Sequence, residues 1–154
     1  MQARMKHPAL IVPDALPTLL TLNSTTKNLG VPDTTIYLIH LRASQINGCS
    51  ACVDIHSREL REAGETPQRL ATVAAWRDAT WFTDAERSAL ALTEAATRLS
   101  DREDPVSDAV WEEACKHYDE NALSCLLLNI AIINLWNRLN VPIRQQPLEG
   151  AGND

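Results

Sequence analysis

Three residues in the stretch QINGCSACVDIHSREL, positions 45 to 60, have the types and the spacing for chemistry: Cys49, Cys52 and His56. If the segment is helical and Cys49 is set at 0°, Cys52 lies at about 300° and His56 at about 340°, so all three project from one face. Three readings compete. In the first, the pair is a redox dithiol. One thiolate attacks an oxidised substrate and the other closes a disulfide three residues away. In the second, the cysteines and His56 hold zinc. A closed structural site needs four ligands and only three lie nearby, so no metal is expected. In the third, small residues simply pack against a neighbouring helix. Gly48 lets the chain turn sharply before Cys49. A thiol at a helix start is favoured as thiolate by unpaired N–H groups, whereas His56, one turn after Cys52, favours Cys52.

The elements that must position these groups read as helices. Asp33 is expected to cap a helix that Asn47-Gly48 breaks. A second helix starts at Cys49 or Ser50 and ends at Ala63, with Gly64 as a left-handed cap. Thr66-Pro67 opens a third, and Thr83 with Glu86 forms a capping-box pattern before DAERSALALTEAATRLS. Ser107 caps DAVWEEACKHY. Asp119 or Asn121 opens a last helix that ends near Asn140 and Pro142. No segment alternates with the period of a strand, so the fold class is all-α. Residues 1–32 are expected to form an irregular arm punctuated by Pro8, Pro13, Pro17 and Pro32. Residues 33–144 form the helical domain and 145–154 a flexible tail. The last helix is apolar nearly all round, interrupted by Asn129, Asn134 and Asn137, which suggests cover on more than one side and a homo-oligomer.

A chain of 154 residues with a net charge of −6 and no long basic run is a poor match to nucleic acid or an anionic membrane. Its longest apolar run, CLLLNIAIINLW, has 12 residues, fewer than the roughly 20 that span a bilayer. The expectation is a cytoplasmic protein with neither membrane nor nucleic-acid partner. Cys115 and Cys125 are expected in the core, and Trp76, Trp81, Trp111 and Trp136 as core anchors. His7 and His117 carry no assigned role.

The run LRASQINGCSACVDIHSRELREAG resembles the core motif of the alkylhydroperoxidase AhpD-like proteins, in the carboxymuconolactone decarboxylase superfamily. The resemblance continues through AAWRDATWFTDAERSALALTEAATRL, VSDAVWEEACKHY and NLWNRLNVPIR, over roughly residues 33 to 144. It implies an all-helical protein assembled as a trimer or hexamer that reduces organic hydroperoxides without a cofactor. It further implies that Cys52 meets the peroxide, Cys49 resolves it and His56 relays protons. The resulting disulfide would be recycled by a dithiol reductant, in the family a lipoylated protein among others. Two positions depart from the pattern. Tyr37 stands where the family has a glutamate, twelve residues before Cys49, and Ala51 where the best-studied sites have a histidine. A phenol cannot serve as a carboxylate base at neutral pH. His40 is a candidate to take over that role and Glu59 a candidate to orient His56. The alternatives are a lyase of the decarboxylase type and a redox-sensing oligomer without catalysis.

Overall fold

The computed structural model describes residues 2–101 and 103–147. Eight α-helices follow one another among them, with no strand: α1 (Pro8–Ile11), α2 (Ala15–Ser24), α3 (Asp33–Asn47), α4 (Ser50–Glu62), α5 (Pro67–Thr72), α6 (Asp84–Thr97), α7 (Asp108–His117) and α8 (Glu120–Ile143). The stretch expected to be an irregular arm thus contains α1 and α2. Proline misled that reading. Pro8 is the first residue of α1 and Pro17 the third of α2, where a missing N–H costs no intrahelical bond. Of the expected tail, residues 148–154 lie outside the described residues.

The α3 helix is the hub. It packs on α4, α6 and α8 and buries seven residues, Thr35, Leu38, Ile39, His40, Leu41, Ala43 and Ser44. Two apolar clusters share it. Ile39 joins Leu92, Tyr118, Leu126 and Ile130 of the α6–α8 side. Leu38 and Leu41 join Leu60, Val73, Trp76, Phe82 and Leu90. Side chains this deeply buried contribute about 1.5–3 kcal/mol each. At one end of α6 the capping box is complete: Glu86 N–H donates to Thr83 Oγ1, and Thr83 N–H to Glu86 Oε2 at 2.8 Å. Further along, the buried Glu94 carboxylate accepts from Trp76 Nε1 (2.9 Å), Arg42 Nε (2.7 Å) and Arg77. It therefore ties α3, α6 and the turn at Trp76 together.

Several local expectations differ from the structure. Pro32, not Asp33, is the N-cap of α3. The segment opened by Thr66 breaks after Thr72 into a short 3-10 turn, Val73–Ala75. Trp76 is buried, but Trp81 and Trp111 are exposed. Cys125 is buried while Cys115 is exposed. The last helix runs for 24 residues and is long and apolar enough to cross a membrane, yet 56% of its apolar window is buried inside the domain. Its asparagines point at other helices, as the site makes plain.

Candidate active site

The turn between α3 and α4 is built by three neighbouring residues. Gly48 adopts φ 70°, ψ 30°, the left-handed region that a residue with a Cβ enters at a cost. Cys49 N–H then returns to Ser44 O at 3.0 Å. Before the glycine, Asn47 Nδ2 donates to Asn134 Oδ1 (3.0 Å) and Asn137 Oδ1 (2.8 Å) of α8. Asn137 in turn donates to Ser44 Oγ at 3.1 Å. This amide clamp fixes where α4 begins relative to α8. Cys49 becomes the N-cap of α4, and its Sγ accepts from Cys52 N–H at 3.3 Å.

Cys49 and Cys52 form a disulfide, with Cα atoms 5.3 Å apart. Both are buried, packed with Ala43, Ile133 and Trp136. Cys52 Sγ accepts from Asn140 Nδ2 of α8 at 3.3 Å. An apolar cavity of about 460 Å³ reaches Cys52. Its wall includes Leu10, Leu16 and Leu20 of α1 and α2, with Ile55, His56 and Trp136 opposite. Cys52 is part of that wall and Cys49 is not.

His56, Ile133 and Trp136 also border a second, polar cavity of about 240 Å³. Tyr37, His40 and Glu59 stand in its wall. The imidazole of His56 is thus common to both cavities. Its Nδ1 lies 2.7 Å from Glu59 Oε2, and a carboxylate there accepts, so Nδ1 carries a hydrogen and, in the neutral ring, Nε2 is the nitrogen with the lone pair. His56 makes no hydrogen bond to either sulfur of the disulfide among the described residues.

The rings of His40 and His56 lie 4.9 Å apart. Asn129 donates through Nδ2 to Cys125 O at 2.9 Å, which turns its Oδ1 toward His40 Nε2 at 3.1 Å. His40 is therefore the Nε2–H tautomer. Burial first, and then repulsion between the two rings when both are protonated, push its pKa down to about 3. A ring that stays neutral across the physiological range cannot hold a relayed proton as an imidazolium near pH 7. Tyr37 has its pKa raised, by burial first and then by Glu59, Asp33 and Glu62. It is a neutral phenol, an O–H donor with no role as a carboxylate.

The structure thus brings five of the six candidate residues to two adjoining cavities, with Cys52 and His56 on one and Tyr37, His40, His56 and Glu59 on the other. Cys49 completes the disulfide behind Cys52. Sequence reasoning missed Asn140, which reaches Cys52 from 88 positions away. It also missed His7, which accepts from Ala9 N–H as the cap of α1 and sits 5.8 Å from the Trp136 ring. Neither carries a local signal, although a polar residue on an apolar helix, as Asn140 is, marks a face to inspect.

Known proteins are similar to this chain in sequence and in fold. The uncharacterised protein YdfG of Bacillus subtilis is 34% identical over 131 residues, 85% of this chain and 88% of YdfG. The uncharacterised protein YnjA of Escherichia coli is 37% identical over 103 residues, 67% of this chain and 55% of YnjA. A solved structure from Agrobacterium tumefaciens, of unknown function and provisionally described as an antioxidant defence protein AhpD, superposes with a TM-score of 0.87. It is 32% identical and covers 96% of this chain and 100% of its own. Residues 13–95 match the model of the carboxymuconolactone decarboxylase family. With the dithiol turn between α3 and α4 inside the matched span, this chain belongs to that family, in an AhpD-like fold.

Proposed function

We propose that the protein is a thiol-disulfide oxidoreductase that reduces hydroperoxides through Cys52 and Cys49. The observation that carries this reading is the asymmetry of the pair: Cys52 lines the apolar cavity together with His56, and Cys49 stands behind it at the helix start. In the reduced protein, His56 Nε2 takes the Cys52 proton. The thiolate attacks the terminal oxygen of ROOH, the O–O bond breaks, and RO⁻ recovers the proton from His56 as ROH. Cys52 is left as a sulfenic acid. Cys49 then attacks Cys52 Sγ, and hydroxide leaves with the Cys49 proton as water. An external dithiol restores both thiols by exchange. The sum is ROOH plus dithiol giving ROH, water and an oxidised dithiol.

Glu59 supports the relay by holding His56 Nδ1, in place of the glutamate that Tyr37 replaces. A dithiol on an apolar arm, such as a lipoyl group on a carrier protein, suits the apolar cavity. The recycling step requires a reducing compartment, which agrees with a cytoplasmic protein. Exposed Leu10, Ile11, Val12 and Leu20 beside the cavity favour association of this chain with copies of itself, and the family resemblance makes that a trimer or hexamer. The test is hydroperoxide consumption with dithiothreitol or dihydrolipoamide as donor, in the wild type and in Cys52→Ser. Turnover that stops in the variant is expected. A disulfide that cycles without peroxide turnover would instead indicate a sensor, and activity surviving loss of both cysteines would indicate a lyase.

A further inference from the structure

We propose that Asn140 is a catalytic residue of the dithiol site, its amide N–H holding Cys52 Sγ as a thiolate. The inference rests on the reading of Cys52 as the substrate-facing sulfur. Asn134, Asn137 and Asn140 recur every third residue along α8, so they share a face. The first two are locked to Asn47, immediately before the dithiol turn. The register between α8 and α4 is therefore set by bonds that do not involve Asn140. The third amide is delivered to Cys52 Sγ, at 3.3 Å. Below it, the end of α8 is closed by Gln145 N–H donating to Asn140 O at 3.0 Å.

The two sulfurs need different help. Cys49 has the N–H of Cys52 at the start of α4. Cys52 shares a mostly apolar cavity wall with Ala51, Ile55, Ile133 and Trp136, surroundings that disfavour a thiolate. Asn140 is the side chain that hydrogen-bonds Cys52 Sγ among the described residues, and an amide donor is present at every pH. During recycling, an incoming thiolate forms a bond to Cys52 Sγ and the S–S electron pair leaves on Cys49. Attack by the second thiol of the dithiol then breaks the mixed disulfide, and that electron pair leaves on Cys52, where Asn140 receives it. The same hydrogen bond keeps the thiolate ready for the next hydroperoxide.

The experiment titrates Cys52 without any peroxide. In a Cys49→Ser background, the pH dependence of iodoacetamide alkylation is followed at the Cys52 peptide, which separates it from Cys115 and Cys125. Asn140→Leu removes the donor, and Asn140→Asp replaces it with a carboxylate of nearly the same shape. Each should raise the Cys52 pKa by about one unit or more, slowing alkylation near neutral pH about tenfold, with the larger shift in Asn140→Asp. Helix content and thermal midpoint, measured in parallel, identify a variant that has lost its fold. A packing role alone would lower the midpoint of Asn140→Leu and leave its Cys52 titration unmoved, and that result overturns the proposal, since a carboxylate beside the sulfur raises the pKa in Asn140→Asp by charge repulsion in either case. If the shift appears and no protein turns over peroxide, the assignment of Asn140 stands and the peroxidase reading falls.

Discussion

Acidification should unfold this protein through His40. The ring is 7% exposed, hydrogen-bonded to Asn129 and beside a second imidazole 4.9 Å away. Its pKa is about 3 in the folded chain against an ordinary 6.5. The folded-state value is depressed, so the contribution is fully present above about pH 6.5 and is lost as pH falls toward 3. At pH 5 the unfolded ring is almost wholly protonated and the folded one is not, which costs about 2 kcal/mol relative to pH 7. The assay is urea unfolding of the oxidised protein at pH 7 and pH 5, in the wild type and in His40→Gln. Glutamine keeps a donor for Asn129 Oδ1 but cannot protonate. Glu86 and Glu94, whose carboxyls are held below the usual range by Arg69 and by Arg77 respectively against the cost of burial, titrate at lower pH and are common to both proteins. The wild type should lose about 2 kcal/mol more than the variant over this interval. An equal loss in both would mean that His40 takes up its proton in the folded state, and the argument for a neutral, Asn129-bound ring would fail.

Glu59→Gln should slow oxidation of Cys52 by peroxide about tenfold or more, since general-base help is typically worth about 10²–10⁴-fold; stopped-flow thiol loss measures it. Tyr37→Glu should give little gain while Glu59 holds His56, yet restore rate in the Glu59→Gln protein, so equal effects in both backgrounds would refute the relocated carboxylate. Mild oxidation should join Cys49 to Cys52 and leave Cys115 and Cys125 as thiols, with Cys115 alkylated in the native state and Cys125 only after unfolding; non-reducing peptide mapping checks this. Glu94→Ala leaves Trp76 Nε1 and Arg42 Nε without their acceptor, and should cost about 2–4 kcal/mol in a denaturant melt.

The sequence was most legible where the cause of structure is local. Gly48 and Gly64 end helices because only their backbones enter the left-handed region cheaply. Thr83 with Glu86, and Thr66 with Pro67, mark starts that depend on four residues at most. The common face of Cys52 and His56 followed from helical geometry alone. What stayed hidden depends on residues far apart. Asn129, Asn134 and Asn137 looked like breaks in an apolar helix, and Asn140 like its end, because their partners His40, Asn47, Ser44 and Cys52 lie about 90 positions earlier. The prolines of the first 32 residues read as breakers because position within a first turn cannot be judged before the helix is known. The exposure of Trp81, Trp111 and Cys115 is likewise decided by which helices pack nearby.

The cavity over Cys52 has a floor and a roof of different origin. Cys52, His56 and Asn140 belong to α4 and α8, fixed by the amide clamp and the central core. The roof is α1 and α2, which bury only Ala9 between them. Hydrogen bonds from Arg4 to the end of α8, Arg4 N–H to Ile143 O and Nη1 to Pro142 O, fasten the segment that precedes them. Leu10, Leu16 and Leu20 can therefore be exchanged for larger or smaller apolar side chains at little cost to the fold of the protomer. On the proposed function, one side of the cavity wall lies apart in the chain from the dithiol, so a library confined to residues 8–24 should retune what the protein accepts while its disulfide chemistry stays as it is.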